Sequence, residues 1–330
     1  MIEKNMIGLT HIIIAALLLT MPQGVAGGNS HRNENRGVNR KGNSDGRMIV
    51  ISSEHLRCDD TLLVFSPSGK EKARDLPVLF LLHGWSGNYT DWSRNKDLQK
   101  LADLNGFRII CPDGFYDSWY VDNADPGKMQ WRKFFWEELW PEADRMFGLN
   151  ADRTFIDGLS MGGHGAMNIF LDRPDLFRGA GSMTGVLDLR SSGGSRERIA
   201  EILGGRDIND EVCTRQSAIN RLDRIALFCP SSAATNRASD QNAVAKNSAA
   251  ATTGKDAAKK LLVVTCGQQD TRFFEAAKDF VEKCTELNIR HISMFSPARH
   301  RWPYWCWVID QHLNWFRQEI SGEGIGEGER

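Results

Sequence analysis

The chain has 330 residues, with 41 Lys and Arg against 42 Asp and Glu, a net charge of −1 at neutral pH. That balance removes the electrostatic basis for a nucleic-acid partner, and the length is ample for one large α/β domain.

Taken in order, Glu3 and Lys4 precede the apolar run Ile12 to Leu19, and Pro22 and Gly24-Val25-Ala26 follow it. Small residues at −3 and −1 of a cut after Ala26 predict a signal peptide over 1–26 and an exported chain, periplasmic or extracellular. The apolar core falls short of the roughly 20 residues of a comfortable membrane span; the alternative is an uncleaved N-terminal anchor. No cysteine lies near the cut, which argues against a lipid anchor there. Residues 27–46 are Asn, Gly, Arg and Ser with almost nothing to bury, and read as a disordered linker. The main domain is expected over 47–320.

Two strands are expected at Met48–Ser52 and Thr61–Phe65. Leu76–Leu82 is almost wholly apolar, as in a strand buried on both faces of a mostly parallel sheet. It ends in His83-Gly84-Trp85-Ser86-Gly87. A helix over Asp91–Leu104, a buried strand over Phe107–Cys111, an irregular aromatic segment with Trp119 and Tyr120, and a helix over Trp131–Met146 follow. Thr154–Ile156 is a short strand, and Gly163–Leu171 the start of a helix. Gly179–Met183 continues as strand, then helices at Ser191–Leu203 and Thr214–Leu222. Ser231–Gly254 is low-complexity Ala, Ser, Asn and Thr, a solvated insertion. Lys260–Cys266 (strand), Phe273–Leu287 (helix), Ile289–Phe295 (strand) and a tryptophan-rich helix over Pro303–Ile320 complete the series, with a mobile tail over 321–330. Apolar strands alternating with helices predict a doubly wound, mostly parallel α/β sheet.

The seven cysteines include no C-x-x-C pair, so neither a zinc nor a redox motif is suggested. Cys111 and Cys266 fall in strand-like runs, as small buried thiols do. Metal-binding motifs are lacking, and no metal or cofactor is expected.

Gly158-Leu159-Ser160-Met161-Gly162 lies between a strand and a helix, the setting of a nucleophile elbow. The serine occupies a strained corner that pushes its hydroxyl clear of the backbone, and the glycines let strand and helix pass. A serine hydroxyl needs a base to take its proton and a carboxylate to orient that base. In this arrangement the chain order is Ser, then Asp or Glu, then His, each after a strand end. His83 precedes the serine, His164 sits in the elbow's own helix, His291 opens a strand, and His312 lies in the body of the last helix. His300, just beyond the last strand, is left as the base. Asp270 follows the strand Leu261–Thr265; its alternative role is to cap the next helix. Asp310 competes but lies inside the final helix, after the histidine.

An oxyanion needs two preorganised N–H donors. They are expected from the backbone of Met161 and of Trp85, in the His83–Gly84–Trp85 loop, which could otherwise be an ordinary strand exit. Trp119, Tyr120, Trp302 and Trp305, with Trp85, are candidate substrate contacts whose faces suit a sugar ring or a phenolic acid. Stacked core or rim tryptophans are the plainer alternative. No acidic or basic cluster marks a charged substrate.

Leu81-Leu82-His83-Gly84 with Trp92 downstream, Gly158–Ala166, Pro174-Asp175-Leu176-Phe177, Cys266–Asp270 and His300–Trp305 together resemble the esterase D and antigen 85 branch of the α/β-hydrolases. The resemblance spans about residues 47 to 318. It implies the α/β-hydrolase fold, Ser160, Asp270 and His300 as a catalytic triad, and Trp85 and Met161 as oxyanion donors. The leading expectation is a serine carboxylesterase acting on short-chain acyl or carbohydrate-linked esters, and the charge balance, the short apolar core and the absent metal motifs add no nucleic acid, membrane span or cofactor. An acyltransferase with the same triad, a non-catalytic binding protein on the scaffold, and a peptidase are the alternatives. The insertion at 231–254 departs from the branch, and export argues against a cytosolic S-formylglutathione hydrolase. Oligomeric state is not legible.

Overall fold

The computed structural model describes residues 46–191, 196–225 and 260–322. The expected signal peptide, nearly all of the linker, the 231–254 insertion and most of the C-terminal tail lie outside these residues.

Eight strands are formed: β1 (Arg47–Ser52), β2 (Asp59–Phe65), β3 (Val78–Leu82), β4 (Arg108–Cys111), β5 (Thr154–Gly158), β6 (Gly179–Met183), β7 (Leu261–Gly267) and β8 (His291–Ser296). They make one sheet in the order β1-β2-β4-β3-β5-β6-β7-β8. β1, β2 and β4 pair antiparallel, and every neighbour from β4 through β8 is parallel.

β3 shows why such strands read as unbroken apolar runs. Val78, Phe80 and Leu82 point into one core cluster, Leu79 and Leu81 into the other, because side chains alternate across a sheet covered on both faces. Helices Met161–Asp172 and Phe274–Glu286 cover the first face, and Leu98–Asn105 and the long C-terminal helix Trp302–Ser321 cover the second. The sheet is doubly wound, as expected.

Element boundaries differ where side chains intervene locally. The helix expected over Asp91–Leu104 is two, Asp91–Asn95 and Leu98–Asn105: the backbone turns extended at Lys96, and Asp97 caps the second helix, accepting a hydrogen bond from the Lys100 N–H at 3.0 Å. The stretch Trp131–Phe147 stays helical but widens to a π turn over Phe135–Leu139. Pro141 follows, lacks the N–H that would reach the Glu137 carbonyl, and crowds that carbonyl with its ring. Trp140 accordingly donates to Phe135 O, five residues back. The helix expected over Thr214–Leu222 runs over Glu211–Gln216, starting at Asp210, whose carboxylate accepts from the Val212 N–H. Cys111 and Cys266 are buried, and all six described cysteines are free thiols. Among the described residues, no helix is long and apolar enough to cross a membrane.

Candidate active site

The elbow is held between two strands. Leu159 N–H donates to Leu82 O at 3.3 Å and Ser160 N–H to Met183 O at 3.0 Å, so the chain leaves β5 clamped between β3 and β6. Ser160 then adopts φ 53°, ψ −116°, a strained conformation for a residue with a Cβ. A Cβ on Gly158 would lie 2.4 Å from Gly162 O, and one on Gly162 would lie 2.5 Å from His83 O. The two glycines are thus required by close approach of backbone, and the turn thrusts the Ser160 hydroxyl outward.

The strand ends bring the other groups to it. β7 and β8 run in parallel register to Gly267 and Ser296. Beyond them a Cβ on Gly267 would touch Ala298 O at 2.4 Å, and Gln269 N–H donates to Ala298 O at 3.0 Å. This contact locks the loop of Asp270 to the loop of His300. His300 Nδ1 lies 2.5 Å from Asp270 Oδ2, and His300 Nε2 lies 3.0 Å from Ser160 Oγ. A carboxylate can only accept, so Nδ1 carries the proton and Nε2 faces the serine hydroxyl as acceptor. Asp270 is buried, whereas His300 keeps 19 % side-chain exposure at the cavity. The helix after Asp270 begins at Phe274, with no side-chain cap, so the carboxylate serves His300 and not the helix.

The competing residues are engaged elsewhere. Asp310 pairs with Lys96 Nζ at 2.6 Å near the surface. His164 is fully buried, and desolvation together with the nearby Arg132 guanidinium lowers its pKa to about 3, so it stays neutral. His312 is buried against Asp157, and His291 Nδ1 donates to Ile289 O.

Above Ser160 lies a cavity of about 720 Å³, walled in part by Trp85, Trp119, Trp302, Trp305, Ser160 and His300. The N–H of Met161 opens the helix Met161–Asp172, where no intrahelical acceptor exists. Trp85 sits in the turn closed by Gly87 N–H donating to Gly84 O, and among the described residues its own N–H meets no acceptor. Its side chain is 47 % exposed and meets Tyr116 edge-on at 5.2 Å.

The other expected aromatic contacts divide. Trp302 and Trp305 line the cavity; Trp305 packs edge-on to the His300 ring at 4.8 Å and donates its indole N–H to Thr184 Oγ1, fixing the imidazole plane. Trp119 lines the cavity but is only 2 % exposed. Tyr120 does not reach the cavity, which corrects the expectation for it. It is fully buried, and its hydroxyl donates to His83 O at 2.9 Å. Its ring fills the space beside Gly114 and Gly165, where a Cβ would collide with it.

Tyr120 belongs to a support that sequence reasoning missed. Gly114 N–H donates to His83 Nε2 at 2.7 Å, which leaves Nδ1 to donate to Gly84 O at 2.8 Å. Asp60 Oδ1 accepts the Asp113 N–H at 3.1 Å, while Asp60 Oδ2 finds no partner among the described residues. The only signal for this in the chain was the Pro112-Asp113-Gly114 turn, which names no partner.

Burial and, secondarily, the Asp113 charge push the Asp60 carboxyl up to about 8. Between about pH 4, where the unfolded chain ionises, and about 8, the folded protein holds a proton the unfolded one has lost. Stability therefore falls as pH rises through this window and levels off above it. In Asp60→Asn this component is absent. The stability gap between wild type and variant is expected to shift in favour of the variant by a few kcal/mol, roughly, from pH 5 to pH 9. Denaturant midpoints at the two pH values check this; parallel profiles would refute it.

The sheet order, the helices on both faces and the strained serine at the strand-to-helix turn define the fold as that of the α/β-hydrolases. The chain belongs to the esterase family: the family described as "Putative esterase" matches residues 53–316. It is 30 % identical over 129 residues to an acetyl esterase of Caldicellulosiruptor saccharolyticus, covering 36 % of this chain and 48 % of the relative. It is 32 % identical over 141 residues to the MPT51/MPB51 antigen of Mycobacterium tuberculosis, covering 39 % and 46 %. The chain thus spans about half the length of these curated relatives. The solved structure of an S-formylglutathione hydrolase from Agrobacterium tumefaciens superposes with a TM-score of 0.65 at 20 % identity, over 83 % of this chain and 94 % of that one. The resemblance to the esterase D and antigen 85 branch is borne out.

Proposed function

We propose that this protein is a serine carboxylesterase acting through an acyl-enzyme, with Ser160 as nucleophile, His300 as general base and acid, and Asp270 orienting His300. The observation that carries the reading is the hydrogen-bonded chain from Asp270 through His300 to Ser160, opening on one cavity. Ser160 Oγ bonds to the substrate carbonyl carbon as its proton passes to His300 Nε2. The N–H groups of Trp85 and Met161 stabilise the oxyanion. Collapse breaks the bond to the leaving oxygen, which takes the proton from His300. A water deprotonated by His300 then releases the acid and restores Ser160.

Short-chain acyl and carbohydrate-linked esters are the proposed substrates; the half-buried Trp302 and the exposed Trp85 offer apolar faces at the mouth. Transfer to a sugar hydroxyl uses the same steps with a different acceptor, and product analysis with added sugar separates the two. Residues 1–26 are proposed as a signal for export, so the exported chain should begin at Gly27 on N-terminal sequencing; an intact Met1 would exclude that cut. The test of the mechanism is turnover of p-nitrophenyl acetate and butyrate by the wild type, with Ser160→Ala beside it. Equal activity in both would remove Ser160 from the reaction.

A further inference from the structure

Two arginines that lie twenty-nine positions apart in the chain line one cavity. Arg272 and Arg301 line the same space as Ser160 and His300. Arg301 follows His300 in the chain, and Arg272 lies 5.1 Å over the Phe273 ring, itself 5.1 Å from the His300 ring. Among the described residues the Arg301 guanidinium has no hydrogen-bond or ion-pair partner, while its carbonyl accepts from the Tyr304 and Trp305 N–H groups. Arg272 pairs with Asp270 at 3.9 Å, through the carboxylate oxygen that does not bond His300. The acid on the cavity wall, Asp91, lies against Gly87 in the Trp85 loop and faces Arg94 at 3.5 Å. The cavity therefore carries two positive charges beside His300, that of Arg301 without a counter-ion among the described residues and that of Arg272 near only the Asp270 carboxylate that also serves His300, a feature the sequence did not suggest.

His300 hands its proton to the leaving group, so that group departs along the His300 side. We infer that the leaving alcohol or thiol is itself acidic, bearing a carboxylate or phosphate that Arg272 and Arg301 hold. This rests on the esterase reading above. A guanidinium presents a planar fork that matches either anion in two hydrogen bonds, and a cavity wall excludes part of the water that would screen them. The anion docks while the ester carbonyl reaches Ser160, which selects substrates by the half that is released. Arg272 has a competing role, support of Asp270, and that role would affect every ester alike.

The test compares kcat/KM of the full-length protein on three acetyl esters: phenyl acetate, 4-acetoxybenzoate and 4-acetoxyphenyl phosphate. Their leaving phenols are neutral, carboxylated and phosphorylated. The ratio of anionic to neutral ester is expected to fall about tenfold for each of Arg272→Gln and Arg301→Gln, and added NaCl should lower the same ratio in wild type. Whichever anionic ester shows the larger fall identifies the anion. A ratio unchanged in the double variant, including a uniform loss on all three esters, overturns the inference. If the wild type cleaves none of them, the esterase reading fails instead. Calorimetric binding of 4-acetoxybenzoate to Ser160→Ala, with and without the two arginines, then decides: arginine-dependent binding upholds the anionic site, and equal binding or none overturns it.

Discussion

Ser160→Ala is expected to lower kcat on p-nitrophenyl esters by on the order of 10⁴- to 10⁶-fold while the protein stays folded. The methyl group of alanine relieves the elbow of nothing it needs: the Leu159 and Ser160 N–H bonds to Leu82 and Met183 are backbone bonds and survive the change. The loss is confined to chemistry, because among the described residues Ser160 Oγ is the group hydrogen-bonded to His300 Nε2, at 3.0 Å. His300→Ala should cost nearly as much, and the double variant little more than either alone, since nucleophile and base act as one unit. Stopped-flow and steady-state turnover, with circular dichroism as a control for folding, check both statements. Additive losses would show that the two residues act independently and would sink the acyl-enzyme mechanism proposed for them.

The second large effect is on stability. Asp157 and His312 are both fully buried, with His312 Nδ1 2.6 Å from Asp157 Oδ2 and His312 Nε2 3.0 Å from Thr265 Oγ1. The other carboxylate oxygen accepts the Gly158 N–H at 2.7 Å, and Gly181 leaves room for the group, since a Cβ there would lie 2.4 Å from it. Removing one member of such a pair strands a polar or charged group away from water, at a cost of about 3–5 kcal/mol. His312→Ala also leaves a cavity. Against a typical total of about 5–15 kcal/mol, each of Asp157→Ala and His312→Ala should therefore lower the denaturation midpoint sharply. The double variant should lose much less than the sum of the singles. Losses below about 1 kcal/mol for the singles, the range of an ordinary hydrogen bond, would show that the pair contributes no special stability. The consequence reaches the site as well. Asp157 is on β5 just before Ser160, Thr265 on β7 just before Asp270, and His312 on the helix that follows His300. The buried chain ties together the three elements that carry the proposed catalytic groups.

Much of this site was legible in the amino-acid order. Gly158–Gly162 marks a strained turn because only glycine tolerates so close an approach of backbone at Gly162, where a Cβ would meet His83 O at 2.5 Å. Apolar runs such as Val78–Leu82 mark doubly covered strands because alternate side chains must enter two cores. With those strands placed, the position just past strand ends singles out Asp270 and His300. Local signals of this kind, a turn's steric demand or a period of burial, are written in consecutive residues. What consecutive residues do not carry is which distant groups a fold makes neighbours. Tyr120 looked like a substrate aromatic until the tertiary structure set its hydroxyl on His83 O. His312 was set aside for its place in mid-helix, yet packing against β5 makes it the partner of Asp157. Arg272 and Arg301 form no cluster along the chain, and the parallel ends of β7 and β8, locked at Gly267 and Ala298, bring them to one cavity. The chemistry of single loops was thus fixed by residue type, whereas charge balance, support and burial were decided by strand register, because those depend on distances through space.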